Sequence, residues 1–434
     1  MTSPQTPALS LGQLKLGQLK TLSLLEGIPS SVFGAWTTGA VLTGYALYLG
    51  AGPLELGFIS STPLLGQVMS PLLIRLSERG KTRRVWLLVY GTLSRGAWLG
   101  VVLLPLLSQE LRLPLLISLS ALSWTFTAGV STLLTALLGD LIPRTSLGRF
   151  FGLRNALLGA VSTLVTVAGG AYLDHTAAPS SFRTLLLIAA LVGLGAVTLL
   201  GRYPEPSLSV PGGVSSRSEG SPFHDPAFRV LVMYAGYWFF AASLSAPFVL
   251  PYFLEGLKMT YAQVSLWSAG VAGCSLLFGP LWGRLADRVG NKPILYLVTL
   301  LASSLLPLSL LLATPSSLGW VWLSAVLEAL VTSALGFGLL GLILSTSPPQ
   351  RRSRYLASFS ALTGLSGFVG STLAGPLFLL FTALLPRLGE VSSGWTPYQA
   401  LLLCSALLRL PTVLLLRRVK EEGAWSLRSL FSSL

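Results

Sequence analysis

The sequence predicts an all-α membrane protein with twelve transmembrane helices, arranged as two parallel-repeat bundles of six. Three observations carry that reading: a composition too apolar for a water-facing surface, twelve apolar runs of spanning length, and turns that recur at a nearly constant offset.

Of the 434 residues, 52% are hydrophobic and 10% are charged, whereas a soluble domain carries about 25% charged residues. A soluble fold of this size lacks the polar residues to cover itself. The charge is lopsided, with 29 Lys and Arg against 15 Asp and Glu, a formal balance of +14. The basic residues cluster in short turns between apolar runs, so they report topology and call for no nucleic-acid partner. Cys274 and Cys404 sit inside apolar runs, where small buried hydrophobes are the default. No metal-ligand spacing and no cofactor motif appears.

Residues 1–22 lack the order of a cleavable signal peptide and read as a tail. They hold a tandem repeat, Leu-Gly-Gln-Leu-Lys at 11–15 and 16–20. A short surface helix or tail is one use for it and interfacial anchoring another.

A spanning helix needs about 20 mostly apolar residues, because in lipid the backbone must satisfy its own hydrogen bonds. Runs of that kind occupy 24–49, 54–76, 84–107, 113–140, 155–174 and 182–202, then 228–253, 261–286, 293–313, 317–345, 356–384 and 398–418. Between the two sets lies a polar stretch with Pro204, Pro206, Pro211, Gly212 and Gly213, read as a linker over 203–227. The expected organisation is therefore a tail (1–22), a first bundle (23–202), the linker, a second bundle (228–418) and a tail (419–434).

Basic residues set the orientation. With both termini on one side, that side carries 23 Lys and Arg, among them Arg75, Arg83, Arg149, Arg284, Arg351 and Arg417. The other side carries four, Arg112, Arg183, Lys258 and Arg387; Arg95 and Arg409 fall within spans. The expectation is a multi-pass protein of the cell membrane with both termini and the linker cytoplasmic.

The two halves look like copies. Pro71, Arg75, Leu76, Glu78 and Arg79 correspond at an offset of 209 to Pro280, Arg284, Leu285, Asp287 and Arg288. Pro143, Arg149, Phe150, Ala156 and Gly159 correspond at an offset of 205 to Pro348, Arg354, Tyr355, Ala361 and Gly364. Each unit has an even number of spans, so both copies cross in the same direction, a repeat about an axis along the membrane normal.

The loop Gly283-Arg284-Leu285-Ala286-Asp287-Arg288-Val289-Gly290-Asn291-Lys292 resembles the cytoplasmic signature loop of the major facilitator superfamily. That loop reads glycine–x–leucine–alanine–aspartate–arginine–x–glycine, followed by basic residues. The family shows it most clearly after the second span; here the better copy follows the eighth. In the first copy Ile74 replaces the leading glycine and Glu78 the aspartate, and one residue is lost before Gly80. The resemblance in fold covers the whole chain. It implies a cytoplasmic gate at Glu78, Arg79, Gly283, Asp287, Arg288 and Gly290, in which acids meet arginines and helix ends. Setting topology and turn geometry is the plainer use of the same residues.

The resemblance also implies that spans 1, 4, 7 and 10 line a central cavity. Ionisable groups inside spans are costly and are functional candidates by default. Glu328 stands about eleven residues into the tenth span, with no charge nearby in sequence. It is the first choice for a carboxylate that carries a proton or binds a cation; a paired structural glutamate is the alternative. Arg95 and Arg409 lie within the third and twelfth spans, suited to pairing with a buried acid, bonding helix carbonyls or reaching an anionic substrate. Glu26 begins the first span, as a charge partner near the boundary, and Asp140 ends the fourth.

The seventh span is rich in aromatic residues. Tyr234, Tyr237 and Trp238 are spaced to share one helical face, which suits stacking on a large apolar or cationic solute or, equally, helix packing. Trp36 and Trp124 are weaker cavity candidates of the same sort. No phosphate-binding loop, nucleophile elbow or zinc-type histidine pair occurs; the two histidines, His175 and His224, fall in loops. The fifth span lacks the glycine–proline pair of the family's drug–proton antiporters.

These residues call for no enzyme. They suit a secondary active transporter of a small organic solute, coupled to protons through Glu328, with a lean to efflux of an amphipathic compound. Solute uptake is the close alternative, and a non-transporting membrane sensor or scaffold the more distant one. Substrate and oligomeric state are not legible.

Overall fold

The computed structural model describes residues 11–77, 82–176, 180–204, 221–348, 351–387, 394–419 and 421. Among them no β-strand occurs beyond an isolated bridge between Thr314 and Ser317. The first span is Leu11–Trp36 continued by Gly39–Tyr48. The second to sixth are Pro53–Ser77, Arg83–Leu103, Gln109–Leu141, Arg144–His175 and Ser180–Leu200. The seventh runs Pro226–Ser243, Ala246–Pro251 and Tyr252–Gly256, and the eighth is Tyr261–Val289. The ninth is Asn291–Ser303 with Leu305–Leu311, the tenth Gly319–Thr346 and the eleventh Arg352–Leu384. Pro397–Arg409 and Thr412–Arg418 make the twelfth.

Among the described residues, eleven of these spans are long and apolar enough to cross a membrane. The first span is interrupted at Thr37 and Thr38, ahead of Gly39 at φ +58°. The two threonine hydroxyls donate to the carbonyls of Phe33 and Gly34, both at 2.7 Å, so the break keeps local hydrogen bonds. The fifth helix begins at Arg144, well before the apolar run at 155. Hydropathy marks what lies in lipid, whereas the helix continues into the interface, where Arg149 and Arg154 are solvated or paired.

Within each half the helices pack in the same order. The third lies against the fourth and sixth, and the ninth against the tenth and twelfth. The halves meet where the second span lies along the eleventh and the fifth along the eighth. On the side of the termini each half has its own apolar core, one around Tyr90, Leu137 and Phe150, the other around Phe228, Leu342 and Tyr355. Cores shared by both halves lie at the remote end, where Phe248, Ala374 and Leu401 join Tyr45 and Phe182, and Ala40 joins Tyr252 and Phe253.

Close backbone approach at that end depends on a small residue. A Cβ on Gly170 would meet Ser265 Oγ and come within 2.6 Å of the Tyr261 carbonyl, so only glycine lets the fifth and eighth spans touch there. The same junction carries hydrogen bonds between the halves. Asp174 accepts from the backbone N–H groups of Tyr261 and Ala262, each at 2.8 Å, and Ser371 Oγ donates to the Gly57 carbonyl at 3.1 Å.

Candidate functional site

The seventh span bends at Leu244 and Ser245, between Ser243 and the short helix that carries Pro247 and Pro251. Each proline removes a backbone donor, so the span turns inside the second half instead of running straight. Beside the bend lies a cavity of about 430 Å³, walled by spans seven, eight, nine, ten and twelve. Trp238, Trp267, Leu306, Val331 and Leu335 give it an apolar lining, and two charged side chains enter it, Glu328 and Arg409.

Arg409 is held by its neighbours. Its NH1 donates to the Ala302 carbonyl at 3.0 Å, and its NH2 to Ser405 Oγ at 3.1 Å and Ser245 Oγ at 3.3 Å. Ser405 Oγ in turn donates to the Ala241 carbonyl at 2.6 Å. The guanidinium carbon stands 5.9 Å from the centre of the Trp238 ring, a cation–π contact. Glu328, on the tenth span, faces the same cavity; among the described residues it forms no ion pair within 4.0 Å, with Arg409 or any other cation. Glu328 and Arg409, 81 positions apart in the chain, open onto one space.

A second lobe of about 260 Å³ lies between the halves. Thr38, Thr43, Ser60, Thr62, Trp124 and Ser371 line it, and it shares Ser243, Ala246 and Leu250 with the first cavity. It carries hydroxyls and no charged side chain. Trp124 therefore borders an inter-half space. Trp36 instead donates Nε1–H to the Val165 carbonyl at 2.9 Å, packed on the fifth span and lining neither lobe.

The three aromatic residues of the seventh span do not share one surface, contrary to the expectation from their spacing. Tyr234 and Trp238 are buried in the core of the second half, and of the two only Trp238 borders the cavity. Tyr237 lines a separate groove against Leu362 and Ser366 of the eleventh span. Successive helical residues diverge by about 100°, so a residue three on and one four on from Tyr234 fall to either side of it.

The first half holds a buried polar chain. Glu26, 2% exposed, pairs with Arg154 at 3.4 Å and accepts from Ser30 Oγ at 2.7 Å. Arg95, 3% exposed, donates to Ser30 at 3.4 Å and stands 5.3 Å from the Phe33 ring centre. Glu26 and Arg95 are thus joined through Ser30. The partner that sequence reasoning missed is Arg154, one of the 23 basic residues counted on the side of the termini.

Glu78 and Arg79 lie outside the described residues. In the second copy of the signature loop, Asp287 and Arg288 are exposed and make no hydrogen bond or ion pair with a described residue, and Gly283 faces open space. Gly290 has a definite role: at φ +89° it ends the eighth helix and starts the ninth in a conformation that disfavours side chains. The polar contacts of this loop come from residues the sequence did not single out. Glu421 accepts from the backbone N–H groups of Asn291 and Lys292 at 2.9 and 2.7 Å, while Lys292 Nζ donates to the carbonyls of Arg417 and Val419. Asp140 pairs with Arg83 at 2.6 Å, on the surface.

The family model of the Major Facilitator Superfamily matches residues 233–428. The solved nucleoside transporter NupG shares the fold over 93% of this chain and 98% of its own, with a TM-score of 0.70 at 13% identity. The fold is that of the major facilitator superfamily, and the sequence match to its family model covers the second half of the chain. An inward-open xylose transporter, XylE from E. coli, aligns with a TM-score of 0.67 at 16% identity over 96% of this chain and 99% of its own. In sequence, the chain is similar to Multidrug resistance protein MdtG of Salmonella choleraesuis (strain SC-B67), 31% identical over 143 residues. It is also similar to the MdtG of Escherichia fergusonii, 31% identical over 149 residues. These stretches cover 32% of this chain and 34% and 33% of those proteins, so the match spans about a third of the relatives' length. It is a multi-pass membrane protein with this superfamily's fold.

Proposed function

We propose that the chain is a secondary active transporter that moves a small amphipathic organic solute by alternating access, with a proton carried on Glu328. The observation that supports this most is Glu328 within an apolar cavity beside the bend of the seventh span, unpaired and facing the one arginine there. A carboxyl in such a setting exchanges a proton at a cost that solute occupancy and cavity opening both change. The connected lobe between the halves supplies a route bordered by Trp124, while Trp238 borders the cavity itself. Spans 23–202 and 228–418 are the two rocking bodies, joined by a cytoplasmic linker at 203–227, with both termini in the cytoplasm. The signature loops at Glu78, Arg79, Gly283, Asp287, Arg288 and Gly290 gate that side.

Similarity to MdtG, whose name describes multidrug resistance, supports transport of an amphipathic organic solute at the cell membrane. The test is flux in liposomes. A library of amphipathic solutes is screened with and without a pH gradient, beside Glu328→Gln. Gradient-driven flux lost in the variant is the expected result; full coupling in Glu328→Gln removes the residue from its role, and no flux of any solute counts against transport.

A further inference from the structure

We infer that the cavity of the second half binds the anionic head of an amphipathic molecule at Arg409, in competition with the carboxylate of Glu328. The inference rests on the transporter reading and adds the sign of the substrate's charge. Among the described lining residues Arg409 and Glu328 are the charged side chains; spans seven, eight and nine contribute apolar groups, serines and tryptophans. As Glu328 gains or loses its proton, the formal charge of the cavity alternates between +1 and 0. It is never negative, so a cation gains nothing at Glu328 that it does not lose to Arg409.

The guanidinium is also built as a fixed positive centre. Ala302, Ser245 and Ser405 immobilise it, all three being neutral acceptors, and Trp238 lies against it. Three of its five N–H donors are used in those bonds. The contacts orient the charge without cancelling it, and two donors remain. A carboxylate, sulfonate or phosphate head supplies the missing counter-charge. With that head on Arg409, an ionised Glu328 faces a second anion in a poorly hydrated space. The favoured occupied state therefore holds the anion together with a protonated Glu328, so proton and anion share the cavity. The apolar body of the ligand lies along Trp238, Leu306 and Val331, and the volume of about 430 Å³ suits a small amphiphile.

Two probes with one apolar body and permanent charges test this: naphthalene-2-sulfonate and 2-naphthyltrimethylammonium, titrated by calorimetry into the full chain in neutral-lipid nanodiscs. The sulfonate is expected to bind about tenfold tighter or better, and to tighten as the pH falls from alkaline to mildly acidic. Glu328→Gln should bind it tightly at every pH. Arg409→Gln should lose the preference, and Arg409→Lys, the control for folding, should keep it. Preference for the ammonium, or a pH dependence that persists in Glu328→Gln, overturns the inference. Nanodiscs containing phosphatidylglycerol distinguish the source of the anion: displacement of the sulfonate by that lipid assigns the site to a lipid headgroup. Flux in liposomes is read separately. Sulfonate binding without any flux sinks the transporter reading alone, and flux of the ammonium without the sulfonate sinks this inference alone.

Discussion

Asp174 and Tyr261 belong to different halves of the molecule, yet the carboxylate of the first caps the helix that begins at the second. Oδ1 accepts from the Tyr261 N–H and Oδ2 from that of Ala262, both at 2.8 Å. The first N–H groups of a helix have no partner inside it and carry the positive end of its dipole. An acid delivered from the fifth span answers both needs and ties the halves together at the end remote from the termini.

Removing that acid should loosen the junction. Asp174→Ala is expected to shift the equilibrium between the two access states by about 1 kcal/mol, roughly fivefold, toward opening of the remote end. Spin-label distances between the fifth and eighth spans measure this. An unchanged distance distribution would mean that apolar packing alone holds the contact.

The Glu26–Arg154 pair predicts a sharper loss of stability. Arg154→Met leaves a carboxylate buried at 2% exposure without an ion-pair partner, its remaining hydrogen bond coming from the Ser30 hydroxyl. The expected cost is about 3–5 kcal/mol, and the double variant with Glu26→Gln should recover most of it. Thermal unfolding of detergent-purified protein gives the comparison. Equal destabilisation of single and double variants would show that the charge is not what matters.

At the other end of the molecule, Glu421 caps the start of the ninth span while Lys292 reaches the last carbonyls of the twelfth. Glu421→Ala should expose the first turn of the ninth span and cost about 1 kcal/mol, seen as faster amide exchange at Asn291 and Lys292. Protection unchanged at those amides would refute the cap.

Arg83 and Asp140 are the contrasting case. Their contact is short, 2.6 Å, but the side chains are 39% and 53% exposed. Arg83→Ala should change the melting behaviour by less than about 1 kcal/mol, because water already screens the pair. A larger effect would point to a role for this pair in gating.

Fold and site were legible to different depths. The composition, the twelve runs and the repeated turns specify a helical membrane protein with two like halves, because lipid penalises any backbone that does not satisfy itself. Glu328 could be found by sequence because a lone acid in an apolar run is conspicuous. Arg154 could not, since an arginine at a span boundary looks like a topology marker until the fifth helix is seen lying against Glu26. Spacing also misled for Tyr237, which shares a helix with Trp238 but faces a different neighbour.

The sequence by itself determined how many times the chain crosses the membrane, in which order, and which few residues bear charge inside it. These are local properties, set by the length and hydropathy of each run. Only the tertiary structure decided that Glu328 and Arg409 share one cavity, that Ser30 links Glu26 to Arg95, and that Asp174 and Glu421 serve as caps for helices far away in the chain. Those pairings depend on how helices lean and rotate against one another, and that is fixed by packing among all of them together.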